Sequence, residues 1–198
     1  MNIGLFFGSF NPVHNGHLII ASHISMYTDL DEVWMVVSPQ NPFKESSNLL
    51  NQNHRFFMLS EALEGERRIK ASNIEFSLPK PSYTIDTLAY LKEKYPGHSF
   101  HIIVGSDSYQ NMEKWKNGDI LLRDYPIIVY KRPGFDITET HGRKIHVTDA
   151  PLLEISSTKI RQMIRDDRSI RYLVPDAVRQ SIENYGYYKQ RSENPPKE

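Results

Sequence analysis

Short apolar runs recur along the chain, and between them apolar positions return with the three-to-four spacing of a helix face. The runs predict strands over residues 3–7, 32–38, 69–71, 99–105, 126–130 and 144–147. The spaced stretches predict helices over 16–27, 54–63, 84–94, 119–123, 157–165 and 175–185. Asn51 or Asn53 is placed to cap the second helix, Ser82 or Tyr83 to open the third, and Pro175 falls in the first turn of the last. Strands alternating with helices predict an α/β fold, a doubly wound parallel sheet with helices on both faces. Such sheets bind ligands beyond the carboxyl ends of their strands, where the strand order switches. The first and fourth strands end in Gly8 and Gly105, so both are expected to deliver loops to that edge.

Composition narrows the function. A chain of 198 residues fits one domain, expected over 1–190, with the polar, proline-bearing stretch 191–198 as a frayed tail. Lys plus Arg and Asp plus Glu both count 24, a balance that gives no reason to expect nucleic acid or an anionic membrane as partner. Cysteine is absent, which excludes disulfides, thiolate nucleophiles and cysteine-held metals. No apolar run approaches membrane-spanning length and no signal peptide is legible, so a cytoplasmic protein is expected. Composition leaves a homo-oligomer open.

Chemistry concentrates in two places. His14-Asn15-Gly16-His17 stands where the first strand hands over to a helix. Helix N-termini carry unpaired N–H groups and partial positive charge, and Gly16 allows a ligand close to the backbone. Two imidazoles there suit a phosphate chain. A lone loop histidine is usually an ordinary polar residue, and a zinc pair would need further ligands, of which none is evident nearby. The second place is Ile155-Ser156-Ser157-Thr158-Lys159-Ile160-Arg161. Ser156 or Ser157 would cap the following helix, its hydroxyls and amides would form a second anion site, and Arg161 would reach it from one turn on. An ordinary serine cap with a surface arginine explains this stretch alone about as well. Both places offer donors, and neither an obvious nucleophile–base pair, which suits nucleoside triphosphate binding better than hydrolysis.

An H-x-G-H near the start with I-S-S-T-x-x-R near the end resembles the nucleotidyltransferase superfamily, and within it the bacterial-type nicotinate mononucleotide adenylyltransferases. Residues 7–14, 38–44, 82–88 and 105–107, with Trp115, Arg132-Pro133-Gly134 and 172–178, match in type and order. Phe7, Asn11 and Phe43 depart from the family pattern, which has Gly, Asp and His in those places. The resemblance implies a Rossmann-like sheet and a reaction joining ATP to nicotinate mononucleotide, giving deamido-NAD and pyrophosphate in NAD biosynthesis. It implies that His14, His17 and Arg161 are catalytic. It implies ATP contacts at Gly8, Ser9, Phe10, His14, His17, Gly105, Asp107, Ile155, Ser156, Ser157, Thr158 and Arg161. Mononucleotide contacts would come from Ser9, Phe10, Lys44, Tyr83, Thr84, Trp115 and Arg132. Mg²⁺ would arrive with ATP, held mainly by phosphates and water, with no protein cage. The partners are then small molecules, ATP and nicotinate mononucleotide.

An attacking phosphate is already ionised near neutral pH and needs no general base. The residues have only to position the reactants and neutralise charge at the α-phosphorus. Two other readings compete. A pantetheine-phosphate adenylyltransferase or cytidylyltransferase would share the two motifs but lack Tyr83-Thr84, Asp86-Thr87 and Trp115. A non-catalytic nucleotide sensor would have no need of His14, His17 and Arg161 together.

Overall fold

The computed structural model describes residues 1–40, 49–137 and 145–189. Six strands form one all-parallel sheet: β1 (Asn2–Gly8), β2 (Glu32–Val37), β3 (Ile69–Ser72), β4 (Ser99–Gly105), β5 (Ile127–Tyr130) and β6 (Ile145–Thr148). Their order is β3-β2-β1-β4-β5-β6, so the chain runs outward from β1 in one direction and then returns to pair β4 against its other side. The switch point lies between β1 and β4, where Leu5 faces Ile102 and Phe6 faces Ile103.

Parallel strands need crossovers, and those crossovers cover both faces. Period-two alternation sorts the central side chains. Phe6, Met35, Ile103 and Ile128 join one core, packed under helices α1 (Asn15–Tyr27), α2 (Gln52–Ala62), α6 (Ser157–Arg165) and α7 (Asp176–Tyr185). Ile3, Leu5, Ile102, Val104, Ile127 and Val129 join the other, under α3 (Thr84–Lys94) and α5 (Gly118–Asp124). The central strands are apolar on both faces for this reason. The edge strands β3 and β6 have only four residues each, which limits the open hydrogen-bonding edge they present.

Caps match the chemistry of their residues. The Asn51 side chain accepts from the Asn53 amide at 2.9 Å, settling that cap. Tyr83 precedes α3, and Pro175 sits just before α7 rather than in its first turn. Gly186 follows α7 with φ of 62°, a left-handed stop that glycine adopts without a Cβ penalty. Pro126 stands just outside β5. Two features carry no periodicity and were not expected from the sequence: the one-turn helix α4 (Ser106–Tyr109), and 3₁₀ turns at Ile74–Ser77 and Met112–Lys114. Each is too short to repeat a face.

Gly118 is the tightest of the described glycines. A Cβ there would stand 2.1 Å from the Met112 carbonyl oxygen and 2.9 Å from that of Glu113. Those atoms are backbone and cannot swing aside. Gly118→Ala is therefore expected to cost about 1–3 kcal/mol, as overpacking does. A thermal melt would check it, and an unchanged melting temperature would show that the 112–117 segment can yield.

Candidate active site

β1 ends at Gly8, where an added Cβ would lie 2.7 Å from the Phe10 ring. Only glycine lets that ring fold back beneath the strand end, and Phe10 is 1% exposed with φ of 43°. The loop that follows is held from behind through its carbonyls. Arg55 of α2 donates to Ser9 O at 2.5 Å, Arg161 of α6 to Asn11 O at 2.7 Å, and the Ser157 hydroxyl to Pro12 O at 2.9 Å. The Asn11 side chain accepts from the Leu50 amide at 3.2 Å. Asn11 thus has a structural role of its own where the family pattern has Asp.

The loop delivers His14 to the N-cap of α1 and His17 to its first turn. The two cap each other. The His17 amide donates to Nδ1 of His14 at 3.4 Å, and the His14 amide donates to Nδ1 of His17 at 3.3 Å. Both contacts are long. They nonetheless assign the acceptor role to each Nδ1, so the ring proton of each neutral imidazole belongs on Nε2. The rings stack with centroids 3.6 Å apart, and Phe10 packs edge-on against His17 at 5.1 Å. Burial, with help from the Arg132 charge, lowers the His14 pKa to about 4. His14 is therefore neutral near pH 7.

The second motif meets the first. A Cβ at Gly16 would stand 3.1 Å from Nδ1 of His14 and 4.0 Å from Cβ of Ile155, so the segment leading into α6 runs beside the start of α1. Ser156 caps α6 by accepting from the Lys159 amide at 3.2 Å. Sequence reasoning assigned the serine hydroxyls to an anion. The Ser157 hydroxyl donates to Pro12 O, whereas that of Ser156 only accepts in the cap and keeps its own proton to donate beside the backbone amides at the start of α6. Arg161 is also partly committed, to Asn11 O and, at 3.3 Å, to the Thr158 hydroxyl. Its Nε is buried without a hydrogen-bond partner, and burial lowers its pKa.

β4 brings the third group. Gly105 is closely packed, with a Cβ there 2.5 Å from Oδ1 of Asp107 and 2.8 Å from Nε of Arg132. Asp107 pairs with Arg132 at 3.3 Å, and the Arg132 amide donates to the Ser106 hydroxyl at 2.9 Å. Arg132 also donates to the Tyr130 hydroxyl at 3.1 Å. Tyr83, Thr84 and Trp115 are half-buried beside the α3 core, and Lys116 ties their segments together. Its ammonium lies 4.7 Å from the Tyr83 ring and bonds Asp86 at 2.8 Å. Lys44 lies outside the described residues.

Sequence reasoning missed Arg55, Glu75 and Tyr188. Arg55 and Glu75 are buried charges; Glu75 is marked in the sequence by its place between Ile74 and Phe76, whereas Arg55, after Asn51-Gln52-Asn53-His54, carries no such signal. Tyr188, beyond α7, has a buried hydroxyl that lacks a hydrogen-bond partner, and both Arg55 and Arg161 act electrostatically on it.

Sheet order and two helix N-termini meeting at the switch point place this chain among the doubly wound nucleotide-binding folds. A cytidylyltransferase-like family model matches residues 5–163. A Cytophaga hutchinsonii protein named "Probable nicotinate-nucleotide adenylyltransferase" is 50% identical over 95% of this chain and 98% of its own length. A Flavobacterium johnsoniae protein of the same name is 47% identical over 96% of this chain and 100% of its own. The fold is shared with Plasmodium falciparum nicotinic acid mononucleotide adenylyltransferase complexed with NaAD, at a TM-score of 0.81 and 24% identity, covering 94% of this chain and 97% of that one. The chain belongs to the cytidylyltransferase-like family, in its nicotinate-nucleotide adenylyltransferase branch.

The depressed pKa of His14 has a consequence for stability. The unfolded chain takes up this proton near pH 6.5, whereas the fold resists until about 4. The contribution is complete above 6.5 and is lost as pH falls through that window. From pH 7 to 5, the wild type is expected to lose about 2 kcal/mol more than His14→Asn, which keeps a capping side chain. Urea unfolding at both pH values measures the difference. Equal losses would mean that His14 is not held neutral.

Proposed function

We propose that this protein transfers the adenylyl group of ATP to nicotinate mononucleotide, releasing pyrophosphate and forming deamido-NAD. The reciprocal capping of His14 and His17 carries the reading, because it assigns both imidazole protons to Nε2 beside the first helix N-terminus. The names of the relatives agree with it. A phosphate oxygen of the mononucleotide attacks the α-phosphorus of ATP. The new P–O bond forms as the bond to the bridging oxygen breaks, and that electron pair leaves with pyrophosphate. No proton need be removed. Negative charge on the α-phosphoryl oxygens and the leaving group is met by the imidazole donors, of which His14 is neutral before the nucleotide binds.

In this reading Arg161, Thr158 and the amides at the start of α6 hold the outer phosphates, while Gly105 and Asp107 take the adenosine side. Tyr83, Thr84, Trp115 and Lys44 take the mononucleotide, with Ser9, Phe10 and Arg132 between. Magnesium enters as part of the nucleotide substrate. The donors gathered at the switch point are imidazole, guanidinium, hydroxyl and amide, and among the described residues no group of three His, Asp or Glu side chains is placed to hold a metal. That donor set fits phosphate oxygens, and a magnesium ion arriving with ATP would be held mainly by phosphates and water. Residues 1–190 act as one catalytic domain, and the protein works in the cytoplasm. Among the described residues no helix is long and apolar enough to cross a membrane.

His17→Ala is expected to lower kcat by about 10²–10³, the usual loss for one transition-state donor, with the fold intact. Near-normal turnover in a folded variant would remove His17 from the reaction. The substrate itself is tested by pyrophosphate release with Mg-ATP and either nicotinate or nicotinamide mononucleotide. The turn at Tyr83 and Thr84 opens α3 and offers amides and a hydroxyl to an anion. A carboxylate accepts from such donors, whereas a carboxamide brings its own N–H and leaves one group unpaired. A preference approaching 10⁴ in kcat/KM for the acid is expected. Equal efficiencies, or preference for the amide, would overturn the choice of substrate.

A further inference from the structure

Beneath the loops assigned to the mononucleotide lies a buried polar layer. Arg55 is 0% exposed and Glu75 is 2% exposed. Arg55 donates to Leu50 O at 2.8 Å, Ser9 O at 2.5 Å, Ser38 O at 2.8 Å and Pro39 O at 3.1 Å. One guanidinium thus fastens the loop after β1 to the loop after β2. Glu75, in the 3₁₀ turn after β3, accepts from the Ser82 hydroxyl at 2.7 Å and the Thr87 hydroxyl at 2.8 Å. The Ser38 side chain also acts on its carboxylate. Ser38 therefore stands between the two charges, with its carbonyl bonded to Arg55 and its side chain beside Glu75.

The layer spans three segments of the proposed site: Ser9 next to Phe10, Ser38-Pro39 on the way to Lys44, and Ser82 next to Tyr83 and Thr84. Each is gripped from behind, by its backbone or by a side chain other than those assigned to substrate. Burying two charges costs stability, and apolar residues of similar volume would often cost less. What a guanidinium and a carboxylate supply instead is direction, because each fixes several partners at once.

We propose that Glu75 and Arg55, with Ser38 between them, are positioning residues that set the geometry of the mononucleotide side of the site without touching substrate. The inference rests on the assignment of Tyr83, Thr84 and the loop after β2 to nicotinate mononucleotide. The ATP side depends on α1 and α6, which the Glu75 hydroxyl cluster does not reach, so the two substrates respond differently.

The test is a KM split in the full-length protein. Glu75→Gln keeps the shape but replaces one acceptor oxygen with a donor, which cannot accept a hydroxyl proton. The KM for nicotinate mononucleotide is expected to rise about tenfold, within the range that small displacements of positioned groups produce. The KM for Mg-ATP stays within about twofold, and the far-UV spectrum is unchanged. Ser82→Ala, which removes a single donor, gives a smaller rise of the same kind and decides the matter if Glu75→Gln does not fold. Arg55→Lys, which keeps the charge but cannot span four carbonyls, also raises the mononucleotide KM, and because Arg55 holds Ser9 O in the loop that leads to His14 and His17, the KM for Mg-ATP rises with it. An unchanged mononucleotide KM in the folded variants, or equal rises for both substrates in Glu75→Gln or Ser82→Ala, overturns the proposal. Calorimetric titration with the mononucleotide separates this failure from that of the proposed function. A wild type that binds it without turnover overturns the catalytic reading alone, and one that does not bind it overturns both.

Discussion

The loop after β1 must leave a central strand, bury an aromatic ring and still satisfy its backbone. Its carbonyls determine how that is done. Those of Ser9, Asn11 and Pro12 turn toward Arg55, Arg161 and the Ser157 hydroxyl, donors from α2 and α6. A trans peptide unit is planar, with C=O and N–H pointing opposite ways. Fixing the Ser9 and Pro12 carbonyls toward those helices therefore turns the N–H groups of Phe10 and Val13 away from them. The same anchoring sets where α1 begins, and so where His14 and His17 stand. A buried carbonyl without a donor costs on the order of 1–3 kcal/mol, so the orientation of this loop is not easily changed.

The imidazoles depend on that start. At most helix N-termini a Ser, Thr, Asn or Asp caps and the ligand finds bare amides. Here the caps are histidines, each accepting a backbone N–H through Nδ1. The amides that would have met a phosphate directly are used to orient two rings, and the rings carry the donor outward on Nε2. Burial keeps His14 uncharged, with its pKa at about 4. A neutral donor is oriented before the ligand arrives. In the proposed reaction, its interaction with developing charge would need little reorganisation.

The doubly wound sheet was legible because its signals are periodic. Strand alternation and helix spacing repeat over enough residues to be read, and the glycines at 8 and 105 mark the two strand ends at the switch. The short helix α4 and the two 3₁₀ turns were not, since none spans two turns of a repeating face. His14, His17 and Arg161 were legible as residue types in a pattern. The serine cap of α6 was legible too, and Ser156 makes it, but the partner of the Ser157 hydroxyl was not, because Pro12 lies 145 residues away in the chain. Arg55 was hidden in the opposite sense. In a helix read for its apolar face it passes for a solvated residue, and only the fold brings four carbonyls around it.

These observations separate two kinds of charged residue at one sheet edge. Arg132 is exposed, pairs with Asp107 and Tyr130, and acts electrostatically on His14. Arg55 is wholly buried, is bonded to carbonyls, and has its pKa lowered to about 10 by burial. Water screens the first and lets it exchange partners when an anion enters. The second has no comparable freedom, since four of its five N–H donors are matched to fixed backbone oxygens and losing one would strand a buried group. Arg161 lies between the two: half-buried, tied to Asn11 and Thr158, with its Nε unmatched. It is thus part of the scaffold on one side and has donors to spare on the other. In the proposed reaction a residue so placed would link the position of the loop after β1 to the phosphates held at α6, because both would draw on one rigid guanidinium plane.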